Sequence, residues 1–577
     1  MRFFIVVLIP LFFYFQARAW DKKICPNIVL KEGKVQLNSN EKVLICGSDK
    51  DNESWKNIPL PQSEFHLKSI LQNLGYQNPR FERDGLTLNV WSGPQDKIKS
   101  LVVNGADGVL RPEKKRKIVG FPLTPEKLNE VDAWANFGVR SLGYACPTLR
   151  VEAHAWDGTI LEVVELQGKK NFNDVDYGDL DGLSSDIMDR YQPFAKNDNY
   201  DIRKPQLMAS RMMADGLFQS VFFVTDCQGN FADLQLKAAV GKAKIIRFGI
   251  GASTEELPFM DITFKNARLD NKASSFTAAL HASPRLQSLT LGSELYWFPG
   301  WQRSFLGPRF RLARQSENSF ETKTAKVGTD LGRYWDEWNT RFSARWGPTL
   351  NYVKTVRGVG PENATYTTIE GSMVVMEHLY ESSLRDQYEG WTASIFYRGQ
   401  KKGIGSNIDA NRYEVNFKQL WNLGGFAPPL FVLGTRIEGT TVDADELEAG
   451  QSQDLLPVEE RIYLGGDQNL RGFPRLSINN EGLGFLSALY LGFELRLIEE
   501  LPYHLQPFLL LDLARTGGRR YTLDSPNFSS YGAGLRWASP FGTLRFSAAR
   551  GQVDKVNTTS INYPAQWVYF LSFGQEF

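Results

Sequence analysis

Residues 461–475 read Arg-Ile-Tyr-Leu-Gly-Gly-Asp-Gln-Asn-Leu-Arg-Gly-Phe-Pro-Arg and set the terms for any chemistry this chain performs. A glycine pair (Gly465, Gly466), an acid (Asp467) and the triplet Arg471-Gly472-Phe473 lie between segments that read as strands. No covalent chemistry needs that combination, because nothing in it forms a nucleophile with an adjacent base. It suits a loop that folds tightly back on itself and delivers one guanidinium to a buried acceptor. Elsewhere there is no Gly-x-Ser-x-Gly elbow, no His-Glu-x-x-His and no phosphate-cradling glycine loop, so no enzymatic activity is expected. The five histidines are scattered and no Cys-x-x-Cys occurs, so neither a metal nor a cofactor is expected.

The elements that must position this loop begin with an export signal. Met1 and Arg2 precede an apolar run from Phe3 to Phe15, and Ala17-Arg18-Ala19 offers small residues for cleavage after Ala19. The run is shorter than the roughly 20 residues of a membrane-spanning helix. With Arg2 and Arg18 removed, 64 basic residues face 65 acidic ones, a balance that argues against a nucleic-acid partner. Four cysteines remain, Cys25, Cys46, Cys146 and Cys227. They allow three pairings; the closeness of Cys25 to Cys46 favours that pair, with four packed thiols as the alternative.

The C-terminal three-fifths is rich in aromatics and patterned with period two. Leu489, Leu491, Phe493, Leu495 and Leu497 share one face; Tyr490, Gly492, Glu494 and Arg496 share the other. Similar alternation runs through Tyr413, Val415 and Phe417 and through Leu544, Phe546 and Ala548. Exported, aromatic-rich, alternating segments separated by polar turns fit an antiparallel transmembrane β-barrel, which satisfies every backbone group in lipid by closing on itself. Residues 244–577 accommodate about sixteen strands of the length that crosses a bilayer, with fourteen or eighteen fitting nearly as well. Tyr569, Leu571, Phe573 and the terminal Phe577 share one face of the last strand.

Residues 20–243 read instead as α+β and repeat. Leu74-Gly75-Tyr76-Gln77-Asn78-Pro79 recurs as Leu142-Gly143-Tyr144-Ala145-Cys146-Pro147, and Asp215-Gly216-Leu217-Phe218 follows at a similar interval. Each comes after an amphipathic pattern such as Leu67, Ile70, Leu71 and Leu74, with glycine placed to cap a helix. Each precedes extended segments, such as Leu86 to Val90 and then Ile98 to Val103. The predicted organisation is a signal peptide over 1–19, small modules over 20–93, 94–168 and 169–243, and a barrel over 244–577.

Modules of this kind before a barrel bearing a Gly-Gly-Asp…Arg-Gly-Phe loop resemble the BamA and TamA superfamily of bacterial surface-antigen barrels. The run Gly532-Ala533-Gly534-Leu535-Arg536-Trp537-Ala538-Ser539-Pro540-Phe541-Gly542 is similar to that family's signature near the penultimate strands. The modules resemble POTRA domains, which lie in the periplasm, and three of them with this length are similar to the TamA type. Residues 20–46 read as strand and turn, without the plug helix of two-partner secretion transporters. The resemblance implies a loop tucked inside the barrel, with Arg471 meeting an acid on an inner strand. Asp512 in Leu510-Leu511-Asp512-Leu513-Ala514 is the best match, and its alternation with leucines turns it to the lumen. By the same parity Gly532, Gly534 and Arg536 face inward, leaving room for the loop.

The family further implies a lateral seam between the first strand, bearing Gly249 and Gly251, and the last, bearing Gly574 and Phe577. Client outer-membrane proteins or autotransporters would be inserted there beside outer-membrane lipid, with a TamB-like inner-membrane-anchored partner and the modules in the periplasm. A channel exporting one dedicated partner, or phospholipid transport, is the alternative.

Overall fold

The computed structural model describes residues 23–33, 35, 37–48, 54–180, 182–256, 258–298, 300–382, 387–444, 455–539, 542–554 and 566–573. The expected signal peptide and the seam residues Gly574 and Phe577 lie outside the described residues. Two compact units emerge, one of residues 1–139 with 147–167, the other of 140–146 with 168–577.

The first unit holds two α/β modules. In the first, strands Lys23–Cys25, Ile28–Glu32, Thr87–Trp91 and Arg80–Asp84 lie side by side in that order. Helices Ser39–Cys46 and Leu60–Asn73 bury Ile45, Leu67 and Leu71 against Ile28, Leu88 and Val90. The helix at Ser39 corrects the reading of 20–46 as strand and turn. Asn38 and Glu41 form a reciprocal capping box that satisfies its free N-terminal amides. Cys25 and Cys46 are joined in a disulfide. In the second module Ser100–Asn104, Thr159–Glu165 and Thr148–His154 form the sheet under helix Pro125–Ser141. The extended partner of Thr87–Trp91 is therefore Arg80–Asp84, whereas Ser100–Asn104 opens the next sheet.

The second unit starts with a third module, whose sheet Asn171–Asp176, Phe231–Val240, Phe218–Gln228 packs on helix Arg203–Ala214 through Phe172, Met208, Met212 and Leu234. Residues 140–146 belong to this unit, and a second disulfide joins Cys146 to Cys227, the complement of Cys25–Cys46 among the three possible pairings. The repeated glycines Gly75, Gly143 and Gly216 all take positive φ, of 91°, 108° and 78°. At Gly75 and Gly216 that conformation ends the helix with amides turned back onto its last carbonyls.

From Lys244 to Phe573 sixteen antiparallel strands follow one another in sequence order. Along Ser487–Leu497 the even-numbered Tyr490, Gly492, Glu494 and Arg496 are buried, while Leu489, Phe493 and Leu495 are exposed. An apolar exterior and a polar interior is the arrangement a lipid-facing barrel requires. Among the described residues no helix is long and apolar enough to cross a membrane. The third module is pinned at one rim. Arg211 is bidentate to Glu381, at 2.7 and 2.6 Å, and reaches Asp336 at 2.9 Å. The long connection between Phe431–Asp443 and Ser487–Leu497 leaves the opposite rim, and its part from residue 461 onward turns back into the lumen.

Candidate functional site

Arg471 is fully buried, and its side chain is the largest to be so among the described residues. Its Nε and Nη2 donate to Oδ2 and Oδ1 of Asp512 at 3.0 and 2.7 Å, and its backbone N–H donates to Oδ2 at 2.9 Å. Nη1 donates to Oε2 of Glu494 at 2.8 Å. Asp512 sits mid-strand in Leu505–Gly517, and Glu494 on the neighbouring Ser487–Leu497, so both carboxylates project inward from adjacent strands. The hydroxyls of Tyr490 and Ser530 also donate to Asp512, at 3.0 and 2.9 Å. A buried carboxylate with this many donors has its desolvation offset.

The network extends past the predicted pair. Arg496 donates to Oε1 of Glu494 at 2.6 Å, and Arg545 to Oε2 at 3.2 Å. Arg545 also lies 3.5 Å from Asp467 in the loop. Three acids (Asp467, Glu494, Asp512) thus meet three arginines (Arg471, Arg496, Arg545) in a buried cluster, the loop and the wall each contributing equal numbers of both signs. Sequence reading placed Glu494 and Arg496 on the strand face opposite the leucines without assigning them to the loop. The signal was available, since a guanidinium forked onto one acid still presents an amino group to another.

The glycines let the loop's backbone come close. Gly465 and Gly466 take φ of 102° and 123°, and a Cβ at Gly465 would lie 2.4 Å from the carbonyl oxygen of Pro474. A Cβ on Gly472 would stand 2.3 Å from the backbone nitrogen of Gly551, and one on Gly551 would stand 2.6 Å from the Gly472 oxygen. The inner wall's accommodating glycine is therefore Gly551. The space Gly534 leaves is filled by the Phe508 ring, and Gly532 abuts the backbone of Ala548 and Ala549. Arg536 is likewise engaged elsewhere, donating to Gln506 at 2.7 Å. Phe473 is buried and meets Phe528 edge-on at 6.0 Å.

At the rim remote from the third module, the loop is tied to two outer turns. Arg475 reaches Glu317 at 2.9 Å and Glu255 at 3.2 Å, and the Asp467 amide donates to Glu255 at 3.0 Å. Burial pushes the Glu255 carboxyl up from its ordinary range, against the lowering by the Asp467 amide and Arg475. The turn carrying Glu255 follows the first barrel strand, Lys244–Gly251. That strand and Trp567–Phe573 share no ladder among the described residues, although every other consecutive pair in the barrel does. What joins them is Thr254, whose N–H donates to the Leu571 oxygen at 3.0 Å and whose Oγ1 accepts the Leu571 N–H at 3.2 Å. Of the predicted seam glycines, Gly251 leaves space for the Phe259 ring and Gly249 faces only Asp261 nearby.

Over residues 240–577, more than half the chain, the sequence matches the Omp85 superfamily domain. The chain belongs to the Omp85 superfamily. Its fold is similar to that of BamA from Haemophilus ducreyi lacking POTRA domains 1-3, with 14% identity, 79% of this chain and 94% of that one covered, and a TM-score of 0.50. CdiB from Acinetobacter baumannii matches at 13% identity over 89% of this chain and 97% of that one, with a TM-score of 0.45. CdiB from Escherichia coli matches at 13% over 88% and 95%, with a TM-score of 0.47. At such identities the first likeness speaks to fold alone. Chemically, the site of this Omp85 chain presents forked ion pairs and close backbone contact between loop and inner wall.

Proposed function

We propose that this Omp85 chain assists the insertion or translocation of client proteins at the outer membrane, through the seam between its first and last strands. The observation that carries the reading is the contrast between that seam, held by Thr254 and Leu571, and the continuous ladders elsewhere in the barrel. A weakly paired edge offers backbone donors and acceptors to an incoming strand. The N-terminal modules would lie in the periplasm and present the exposed edge strands Arg80–Asp84 and Thr148–His154 to clients or to a TamB-like partner. The buried Arg471 network would hold the loop as a latch inside the barrel.

The test replaces Thr254 and Leu571 together by cysteine and oxidises the pair in cells. Locked protein should lose client insertion, while both single variants and the parent, oxidised alike, keep it. Normal insertion by the locked form sinks the reading.

A further inference from the structure

The short turn Ser253–Glu256 carries both the contact that closes the seam and the contact that holds the loop, on consecutive residues. Thr254 makes the two hydrogen bonds to Leu571. Glu255 accepts from the Asp467 amide and from Arg475, and the space its Oε1 occupies exists because residue 466 is a glycine: a Cβ there would stand 2.5 Å away. The turn between them is stiff. The Ser253 N–H donates to the Glu256 oxygen at 2.9 Å, the Glu256 N–H donates to Ser253 Oγ at 2.9 Å, and Glu256 is flanked by His281 at 3.3 Å. Thr254 and Glu255 therefore cannot be displaced separately by more than the slack of one peptide unit.

We infer that this turn couples loop to seam, with Glu255 and Thr254 as positioning residues: the seated loop holds the turn, the turn holds Leu571, and release of either end loosens the other. Coupling of this kind is reciprocal, so a strand entering the seam would also weaken the loop's seating. The physical warrant is a continuous path: hydrogen bonds from Arg475 to Glu255 and from Thr254 to Leu571, joined by the peptide bond between Thr254 and Glu255. The inference rests on the proposed function for its use, though not for its measurement.

Amide hydrogen exchange of the full chain in lipid nanodiscs tests it. Arg475 touches neither seam strand, yet Arg475→Ala should raise exchange of the Leu571 amide by about fivefold or more. Glu255→Gln, which preserves shape, should do the same. Amides of Glu321–Glu337 serve as the folding control and should stay at parent values. Thr254→Val, which removes the seam hydroxyl directly, marks the size of an uncoupled opening. If Leu571 exchanges at the parent rate in Arg475→Ala and Glu255→Gln but faster in Thr254→Val, the coupling is overturned. Because exchange is read without clients, that result leaves the seam reading intact, and insertion by the oxidised Thr254–Leu571 lock sinks the seam reading alone.

Discussion

Replacing Arg471 by alanine tests the latch directly. The side chain is wholly buried, donates to Asp512 through three hydrogen bonds counting its backbone amide, and donates once to Glu494. Loss of one partner from a buried ion pair costs about 3 to 5 kcal/mol, chiefly by stranding the other charge. Two features place this case near the lower end of that range. Glu494 keeps Arg496 and Arg545, and Asp512 keeps the hydroxyls of Tyr490 and Ser530 together with the residue 471 amide. About 3 kcal/mol corresponds to roughly a hundredfold change in the seated-to-released ratio. The readout is exchange of the loop amides of Gly466 and Phe473, which are bonded to the Phe473 and Leu470 oxygens at 3.0 and 2.9 Å. Arg471→Ala and Asp512→Ala should each speed them by about that factor and impair complementation of a null strain. In the double variant the effects should fall well short of additive, since each removes the same contact. Exchange within about threefold of the parent in both single variants would show that apolar packing of Leu470, Phe473 and Ile478 holds the loop, and that the ion network is incidental.

Two further perturbations probe other parts of the chain. Gly551→Ala should displace the loop as effectively as Gly472→Ala, because each Cβ meets backbone rather than a yielding side-chain end; Gly534→Ala should instead disturb Phe508 and leave loop-amide exchange near the parent rate. In the second module Glu162 is fully buried in the sheet face under helix Pro125–Ser141, neither carboxyl oxygen has a hydrogen-bond partner among the described residues, and burial, aided by the Asp132 charge, pushes its carboxyl up to about 7. The folded module therefore retains a proton that the unfolded chain releases between about pH 4.5 and 7, so stability falls across that window by up to ~3 kcal/mol. Glu162→Gln should slow amide exchange in Thr159–Glu165 relative to the parent at about pH 8 and match it near pH 4.5; a variant that exchanges no more slowly at the higher pH refutes the account.

What could be read in the sequence follows the range over which each determinant acts. The inward side of Asp512 was legible because strand parity is a local rule, and Leu509, Leu511 and Leu513 alternating with one acid leave it a single side. The helix caps at Gly75 and Gly216 were legible for the same reason. The helix Ser39–Cys46 was missed although Asn38 and Glu41 carry a local capping signal, because its apolar face is only two turns long and alternates poorly. Glu162 was missed for the opposite reason. Within Thr159–Glu165 it stands between Ile160 and Val164 on the buried face, where parity predicts an apolar residue, and the pattern reads past it.

The remaining misses are contacts between segments far apart in the chain. Gly551 matters because Gly472 arrives against it, Arg545 because it completes a charge cluster begun on two other strands, and Glu255 because the loop returns to the first strand's turn. Each of these residues is unremarked in its own neighbourhood. Barrel closure brings them together, and closure sets which strands are opposite one another only when strand number and stagger are both known. Period-two patterning supplies the number approximately and the stagger not at all. A lumen loop compounds the difficulty, since its seating depends on the inner face of several strands at once. The charge cluster shows how such partners can still be sought: once Arg471 is assigned to the lumen, neutrality in a water-poor interior demands acids on inward positions nearby in the sheet, and Glu494, two residues from Gly492, which faces Asp512 across the ladder, satisfies that demand.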